Sequence, residues 1–278
     1  MKVYKTTEGI IIHHENSFYL SATNNWDTFI NRDNLYNEIL GEIQSLKPGN
    51  DLPSVIEKAT EAPIKSQEIW AAGVTYLRSM KARMEESKVA GGDTFYDKVY
   101  DAERPEIFFK ATAQRTVGNH DKVRIRKDST WDVPEPELTL FITSSGKIVG
   151  YTIGNDMSSR SIEGENPLYL PQAKMYDGCA ALGPCIYVPE KPVSPDTSIS
   201  ISITRNDVMM FSDSILISQM KRTHTELVSF LFREMSFEYG VFLMTGTGIV
   251  PPNSFTLQRG DIITISLDNI GTLTNTVA

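Results

Sequence analysis

Three acidic residues in one short segment have the types and spacing to act together. Glu135 and Glu137 flank a proline, and Asp156 follows after a turn. On an extended strand, residues two apart point to the same side, so the two glutamates present their carboxylates together. The segment TSSGK, residues 143–147, predicts a turn that folds the chain back and brings Asp156 near the glutamates. We therefore expect three carboxylates at one place.

Three carboxylates at one place repel one another unless a cation lies among them. A set of oxygen ligands without Cys or His suits a hard ion, so we expect Mg²⁺, with Mn²⁺ or Ca²⁺ as alternatives. The competing interpretation is a solvated edge strand, whose charges discourage pairing with another chain. Pro136 has no N–H and favours this alternative, because it predicts that the strand lies at an edge or carries a bulge.

The elements that would position these residues fall into two predicted units. Residues 1–66 predict a small N-terminal α/β unit of two short strands and a helix, and prolines punctuate the stretch that follows. Residues 67–278 predict a larger domain of short, β-branched strands separated by Gly, Pro, Asn and Asp. We expect an α+β fold that is mostly β.

Two helices are predicted within the larger domain. One starts near Thr75 and ends at Gly91, a common stop signal. In the other, Thr223 and Glu226 fit a capping box and Gly240 marks the end.

Composition excludes several classes of protein. The net charge is −8 and the basic residues are scattered, which argues against a nucleic-acid partner. No apolar stretch approaches the roughly 20 residues that span a bilayer. The first nine residues lack the pattern of a secretory signal, so we expect a cytoplasmic protein. Cys179 and Cys185 are too few for a disulfide framework, and we assign them only to packing.

A family resemblance rests on several ordered motifs rather than on one. From about Ile69 onward the chain resembles the fumarylacetoacetate hydrolase superfamily, through the motifs WAAGVTY, PEIFFKAT, EPELTLFI, GYTIGNDMSSRS, QAKMYDGCAALGP, LMTGT and LDNIGTLTNTV. The resemblance implies a mixed β-roll or barrel-like catalytic domain. It also implies that Glu135, Glu137 and Asp156 bind a divalent metal, and that the chain forms a homodimer or homotetramer.

The same resemblance implies roles for five further residues. Lys174, otherwise taken as a surface lysine, falls at the family's active-site lysine, where a cation stabilises an enolate or holds a carboxylate. Gln172 faces the same way if this segment is a strand, and is otherwise a solvated amide. Thr245, Gly246 and Thr247 match a turn that binds a substrate carboxylate, and alone would be a tight turn.

Arg160 completes the N-D-x-x-x-R pattern of the family. An arginine there either braces the metal carboxylates or makes a subunit contact, so we place it outside the catalytic set.

One departure from the family pattern bears on the reaction. The hydrolases carry a histidine where this chain has Ser79, and that histidine pairs with a glutamate to activate water. The local sequence resembles the branch that dehydrates 2-keto-3-deoxy sugar acids. An example is the dehydration of 2-keto-3-deoxy-D-arabinonate to 2,5-dioxopentanoate. Glu106 has a position that suits a general base or a water-activating acid, and its alternative is a salt-bridged carboxylate near a strand start.

Two alternatives share this scaffold. The first is hydrolysis of an acylpyruvate or decarboxylation of oxaloacetate, which would begin with the same metal chelate. The second is a protein that binds a 2-keto acid without turnover. We expect the dehydratase because Ser79 argues against the hydrolase, and Glu106 and Lys174 argue against a binding protein.

Overall fold

The computed structural model describes residues 1–87 and 98–278 of the chain. Its strands in chain order are β1 (Lys2–Thr6), β2 (Gly9–His14), β3 (Ser17–Leu20), β4 (Glu68–Gly73), β5 (Glu106–Thr112), β6 (Thr116–Val117), β7 (Lys122–Val123), β8 (Asp132–Val133), β9 (Pro136–Ile142), β10 (Ile148–Asp156), β11 (Ser158–Ser159), β12 (Ala180–Tyr187), β13 (Ser198–Arg205), β14 (Val208–Leu216), β15 (Val241–Met244), β16 (Ile262–Leu267) and β17 (Gly271–Val277).

The α-helices are shorter and lie between these strands. They are α1 (Trp26–Ile30), α2 (Leu35–Ile43), α3 (Leu52–Ala59), α4 (Leu77–Ser87), α5 (Arg160–Glu165), α6 (Leu170–Lys174) and α7 (His224–Leu231). Within the described ranges, no helix is both long and apolar enough to cross a membrane.

Two large mixed sheets carry the fold. One has ten strands in the order β3-β2-β1-β12-β10-β9-β15-β4-β5, with β6 beside β12. The other has five strands in the order β14-β13-β16-β17-β7, and β8 and β11 form a small ribbon. β15 runs parallel to β4 but antiparallel to β9. The expectation of an α+β fold that is mostly β is confirmed.

Apolar side chains on the two faces of the ten-stranded sheet form two cores. On one face, Leu138, Leu140 and Ile153 pack with residues of the five-stranded sheet such as Ile201 and Ile265. On the other face, Phe141 packs in a cluster with residues of the first helices, among them Trp26, Phe29 and Ile39. The middle of the ten-stranded sheet is therefore covered on both sides, which explains why every residue of β9 is buried.

The N-terminal segment differs from the prediction in its elements. It contains three strands and three helices rather than two strands and a helix. A two-residue turn, in which Glu15 has a φ of 52°, joins β2 to β3 in a hairpin. These strands extend the ten-stranded sheet through pairing of β1 with β12. The boundary between residues 66 and 67 stays a prediction.

β9 and β10 form the predicted hairpin, but this hairpin does not lie at the predicted edge of the sheet. Gly154 lies opposite Glu137, and Asn155 opposite Pro136. Pro136 predicted an edge strand or a bulge, and the edge is wrong because β9 lies between β10 and β15. The β9–β10 pairing does have an irregularity, but it lies between Ile148 and Gly150, at the other end of the hairpin from Pro136. Pro136 is tolerated because it is the first residue of β9, and β15 pairs only with residues 139–142.

The two predicted helices also differ in extent. The predicted stop at Gly91 lies outside the described residues, and the described helix α4 starts at Leu77. Thr223 caps α7 by accepting a hydrogen bond from the Glu226 N–H, as predicted. The helix ends at Leu231, however, and Gly240 lies in a later turn with a φ of 75°. Packing of Phe232 against Phe237 accompanies this early end.

Gly154 supplies a test of how tightly the hairpin is packed. A Cβ at Gly154 would overlap Thr139 Oγ1 and lie 2.9 Å from Met244 Cε. We expect Gly154→Ala to lower the free energy of unfolding by about 1–3 kcal/mol through overpacking. Gly41→Ala is the control, because a Cβ there meets nothing within 4 Å in an exposed part of α2. It should raise stability by about 0.5–1 kcal/mol. Equal urea midpoints for the two variants would contradict this packing.

Candidate active site

The three acidic residues lie together at the open end of the β9–β10 hairpin. One ligand oxygen from each of Glu135, Glu137 and Asp156 lies within 4.8 Å of the others. The backbone fixes this arrangement, since the Asp156 N–H donates to the Glu135 carbonyl at 3.0 Å. The alternative of a solvated edge is wrong, because the glutamates are only 3 % and 2 % exposed.

Burial makes the charges of this carboxylate cluster costly. Burial and then the charges of Asp156 and Glu135 raise the pKa of Glu137 well above its ordinary value. Burial acts the same way on Glu135, but Lys174, Arg160 and Arg83 outweigh it and lower the pKa of Glu135. A divalent cation would relieve the repulsion that Glu137 experiences. The cluster therefore fits a hard metal ion by donor type, spacing and charge.

Two fully buried lysines contact the carboxylate cluster from different elements. Lys174 Nζ, at the end of α6, lies 2.5 Å from Glu135 Oε2 and 2.9 Å from Asp156 Oδ2. Burial lowers the pKa of Lys174, but Asp156 and Glu135 more than offset this and the net shift is upward. Lys174 is therefore a permanent cation near neutral pH. Lys110 Nζ, on β5, lies 2.7 Å from Asp156 Oδ1 and donates to the Lys174 carbonyl.

Two arginines connect the cluster to a fourth buried carboxylate, Glu163 of α5. Arg83 of α4 lies 3.0 Å from Glu135 Oε1 and forms an ion pair with Glu163 Oε2. Arg160 lies 2.6 Å from Glu135 Oε1 and 3.9 Å from Glu163 Oε2. Ser158 also donates to Glu163 at 3.2 Å. The sequence suggested two roles for Arg160. Its contact with Glu135 corresponds to the first of them, in which the arginine braces a metal-binding carboxylate.

These residues line a small cavity together with Glu106, the predicted base. Glu106 begins β5 and is half-buried, and its carboxyl group lies where a Cβ of Gly73 would be. Burial chiefly raises the pKa of Glu106 to about 7, which the charge of Arg83 partly opposes. The cavity volume is about 20 Å³, so a five-carbon acid fits only after side chains of the wall move.

Some groups of the T-G-T turn hold neighbouring residues in place, and others line the cavity. The Gly246 N–H donates to Glu137 Oε2 at 2.6 Å and so holds that carboxylate. The Thr245 hydroxyl donates to the Leu138 carbonyl at 2.8 Å, which binds the turn to β9. Gly246 and Thr247 line the cavity. The roles of these three residues toward a substrate stay predictions.

Gln172 is not where a strand would place it. Residues 170–174 form α6 rather than a strand, so Gln172 and Lys174 do not share a side. Gln172 is exposed, and its backbone carbonyl accepts a hydrogen bond from Arg126. The expectation that it faces the same way as Lys174 is therefore wrong.

Sequence reasoning did not identify Lys110, Arg83 and Glu163. Lys110 lies in the quoted motif PEIFFKAT, but only the pairing of β5 with β4 and the packing of α6 bring it to Asp156. Glu163 is three residues after Arg160, a spacing that places both on one face of a helix. That spacing was the one local signal available.

The sequence profile of the fumarylacetoacetate (FAA) hydrolase C-terminal family matches residues 68–278. A probable 2-keto-3-deoxyxylonate dehydratase of Haloferax volcanii is 49 % identical over 223 residues, 80 % of this chain and 76 % of that protein. The 2-dehydro-3-deoxy-D-arabinonate dehydratase of Saccharolobus solfataricus is 44 % identical over 214 residues, 76 % of this chain and 72 % of that protein.

A solved structure shows the same fold over the whole chain. It is a 2-keto-3-deoxy-D-arabinonate dehydratase complexed with magnesium and 2,5-dioxopentanoate. The TM-score is 0.85 at 35 % sequence identity, and the match covers 100 % of this chain and 98 % of that one.

Replacing Glu137 should affect the metal-free and the metal-loaded protein in opposite directions. Its raised pKa means that the folded metal-free protein keeps a proton that the unfolded chain releases above pH about 4.5. The stability that this proton contributes is lost as the pH rises toward the raised pKa. Glu137→Gln removes the repulsion, so we expect a higher unfolding temperature without metal at pH 8 and a flatter pH dependence.

With metal, the same variant should gain less. At a Mg²⁺ concentration of 100 times Kd, the wild type should gain about 2.7 kcal/mol, and Glu137→Gln should gain less than about 1 kcal/mol. Thermal unfolding with Mg²⁺ and with EDTA measures both effects. Glu234→Gln, an exposed carboxylate, is the control and should match the wild type. An unchanged gain in Glu137→Gln would exclude this cluster as the metal site.

Proposed function

The chain belongs to the fumarylacetoacetate hydrolase family, and from that premise we propose that it is a divalent-metal-dependent dehydratase of a 2-keto-3-deoxy sugar acid. The proposed substrate is 2-keto-3-deoxy-D-arabinonate and the product 2,5-dioxopentanoate. The observation that carries the proposal is a pair of titratable groups that line the same cavity. Glu106 has a pKa of about 7, whereas Lys174 stays protonated. Groups whose environments separate their pKa values in this way suit an acid–base reaction.

Glu135, Glu137 and Asp156 would hold the metal, and Mg²⁺ is the ion bound in the similar dehydratase structure. When bound, the ion would polarise the C2 carbonyl of the 2-keto acid and make the C3 protons more acidic. Gly246 positions Glu137 through its N–H. Thr247, which lines the cavity, is our candidate for binding the substrate carboxylate, and Thr245 holds the turn in place.

Glu106 would act as the general base. It would take a proton from C3, and a double bond would form between C3 and C4 as the C4 hydroxyl group leaves. The protonated Glu106 would return its proton to that hydroxyl group, which departs as water. Lys174 would stabilise the negative charge that develops on the C2 oxygen, because it is a fixed ammonium group.

The remaining steps move protons within the product. The enone loses a proton from C5 and gains one at C3, and the resulting C4–C5 enol converts to the aldehyde. This gives 2,5-dioxopentanoate with the loss of one water molecule.

Ser79 supports the dehydratase over the hydrolase. Its hydroxyl group lies at the cavity and donates to the Tyr76 carbonyl at 2.8 Å, so it is engaged with the backbone of its own helix start. Among the described residues that line the cavity, none is a histidine. A histidine–glutamate pair that activates water is therefore not formed by these residues. Cytoplasmic location and assembly as a homodimer or homotetramer stay predictions.

The direct test is product formation by protein stripped with EDTA. We expect 2-keto-3-deoxy-D-arabinonate to give 2,5-dioxopentanoate when Mg²⁺ is restored and none without it, measured by NMR. Acetylpyruvate and oxaloacetate serve as comparison substrates. Turnover of either one, with none of the sugar acid, would replace this proposal by the hydrolase or the decarboxylase. Magnesium-dependent binding of all three without turnover would indicate a binding protein.

Glu106→Gln tests the proposed base. We expect kcat to fall by roughly 10²- to 10⁴-fold while KM changes little, because the amide keeps the shape but accepts no proton. In the wild type, kcat should rise with pH through about 7, and the residual rate of the variant should lack that dependence. Glu103→Gln, an exposed glutamate in the same segment, is the control. Full activity of Glu106→Gln would remove Glu106 from the mechanism.

A further inference from the structure

The Arg83–Glu163 ion pair lies beside the carboxylate cluster rather than within it. Arg83 and Arg160 each contact both Glu135 and Glu163, so the two arginines separate Glu163 from the other carboxylates. Both members of the pair line the cavity. Arg83 is 7 % exposed and Glu163 is 3 % exposed, so solvent screens this pair weakly. Arg83 and Glu163 thus form one wall of the cavity, and their charges act at close range on any bound ligand.

Glu163 offsets the charge of Arg83 at this wall. An isolated buried arginine would be a strong site for a carboxylate, because its guanidinium group binds carboxylates with two parallel hydrogen bonds. Here Glu163 already forms an ion pair with Arg83, and Glu135 contacts the same guanidinium group. The pair remains polar but carries no net charge. Such a surface suits hydroxyl groups, which donate and accept hydrogen bonds without adding charge.

We propose that Glu163 determines specificity by making this wall accept the hydroxyl-bearing end of a 2-keto monocarboxylate and reject a second carboxylate. The proposal rests on the proposed function, since it requires the keto-acid end of the ligand to lie at Glu135, Glu137 and Asp156. It adds the class of ligand that the site excludes, namely 2-keto acids that carry a second carboxylate at the far end.

The charge inventory of the site supports this selection. Among the described residues, five carboxyl groups at the cavity face four buried cations, which are Arg83, Arg160, Lys174 and Lys110. When all five carboxyl groups are ionised, as metal binding favours, these protein groups carry one net negative charge. A divalent ion and a monocarboxylate bring the total to zero. A dicarboxylate adds one buried negative charge without a partner, which is costly.

Two ligands of equal length isolate the effect of the second carboxylate. 2-Oxopentanoate and 2-oxoglutarate have the same five-carbon backbone and differ only at the far end. Calorimetric titration of the Mg²⁺-loaded protein at pH 8 gives both Kd values without any need for turnover. We expect the wild type to bind 2-oxoglutarate at least tenfold more weakly than 2-oxopentanoate.

Glu163→Gln should reverse much of this discrimination. The variant removes the negative charge that Glu163 places against Arg83, while the contact of Arg83 with Glu135 remains, so the ratio of the two Kd values should fall at least tenfold, mainly through tighter binding of 2-oxoglutarate. Adding Arg83→Gln to that variant should remove the gain. Glu165→Gln is the matched control, because it removes an exposed carboxylate from the same helix and should keep the ratio of the wild type.

The possible outcomes separate this proposal from the proposed function. An unchanged ratio in a folded Glu163→Gln protein would overturn the role of Glu163 and leave the dehydratase intact. If that variant does not fold, the test uses the wild type alone. Binding of 2-oxoglutarate by the wild type that is as tight as that of 2-oxopentanoate, or tighter, then overturns the proposal. A shifted ratio in a protein that dehydrates no sugar acid would overturn only the proposed function. No magnesium-dependent binding of either ligand would overturn both.

Discussion

Mutual repulsion of three buried carboxylates is the constraint on which the rest of the site depends. Glu135, Glu137 and Asp156 are almost completely excluded from water, and one carboxylate oxygen of each lies within 4.8 Å of the others. Such groups cannot all be ionised without nearby positive charge. The structure supplies that charge from four separate elements, namely α4, β5, α5 and α6. Ion pairs connect these four elements to Glu135 and Asp156 at the end of the hairpin, and a divalent ion would complete the compensation.

The local part of this arrangement was predictable from the sequence. Glu135 and Glu137 are two residues apart, and a tight turn determines which part of β10 lies opposite them. Both relations depend only on strand geometry and turn chemistry, and these act over a few residues. The Thr223 cap and most strand segments of the larger domain were predictable for the same reason. In these strands β-branched residues alternate with other residues, and turns separate one strand from the next.

The remaining features depend on contacts between distant segments. Pro136 predicted an edge because a proline disrupts pairing, but the sequence does not show that β15 pairs only beyond it. Gln172 was misplaced because a five-residue helix has too few residues for periodicity to distinguish it from a strand. Arg83 and Lys110 reach the carboxylates only after α4 and β5 have packed, so no local pattern identifies them. The resemblance to a family supplied Lys174, which alone would have been taken as a surface lysine.

The position of the metal ion can be measured directly by crystallography. Mn²⁺ soaked into crystals of the protein with 2-oxopentanoate gives an anomalous scattering peak wherever the ion binds. We expect one strong peak among the carboxylates of Glu135, Glu137 and Asp156, with the keto acid beside it and Lys174 within contact distance. A strong peak elsewhere, or a keto acid bound at this cavity without any peak, would contradict the claim that these three carboxylates form the metal site.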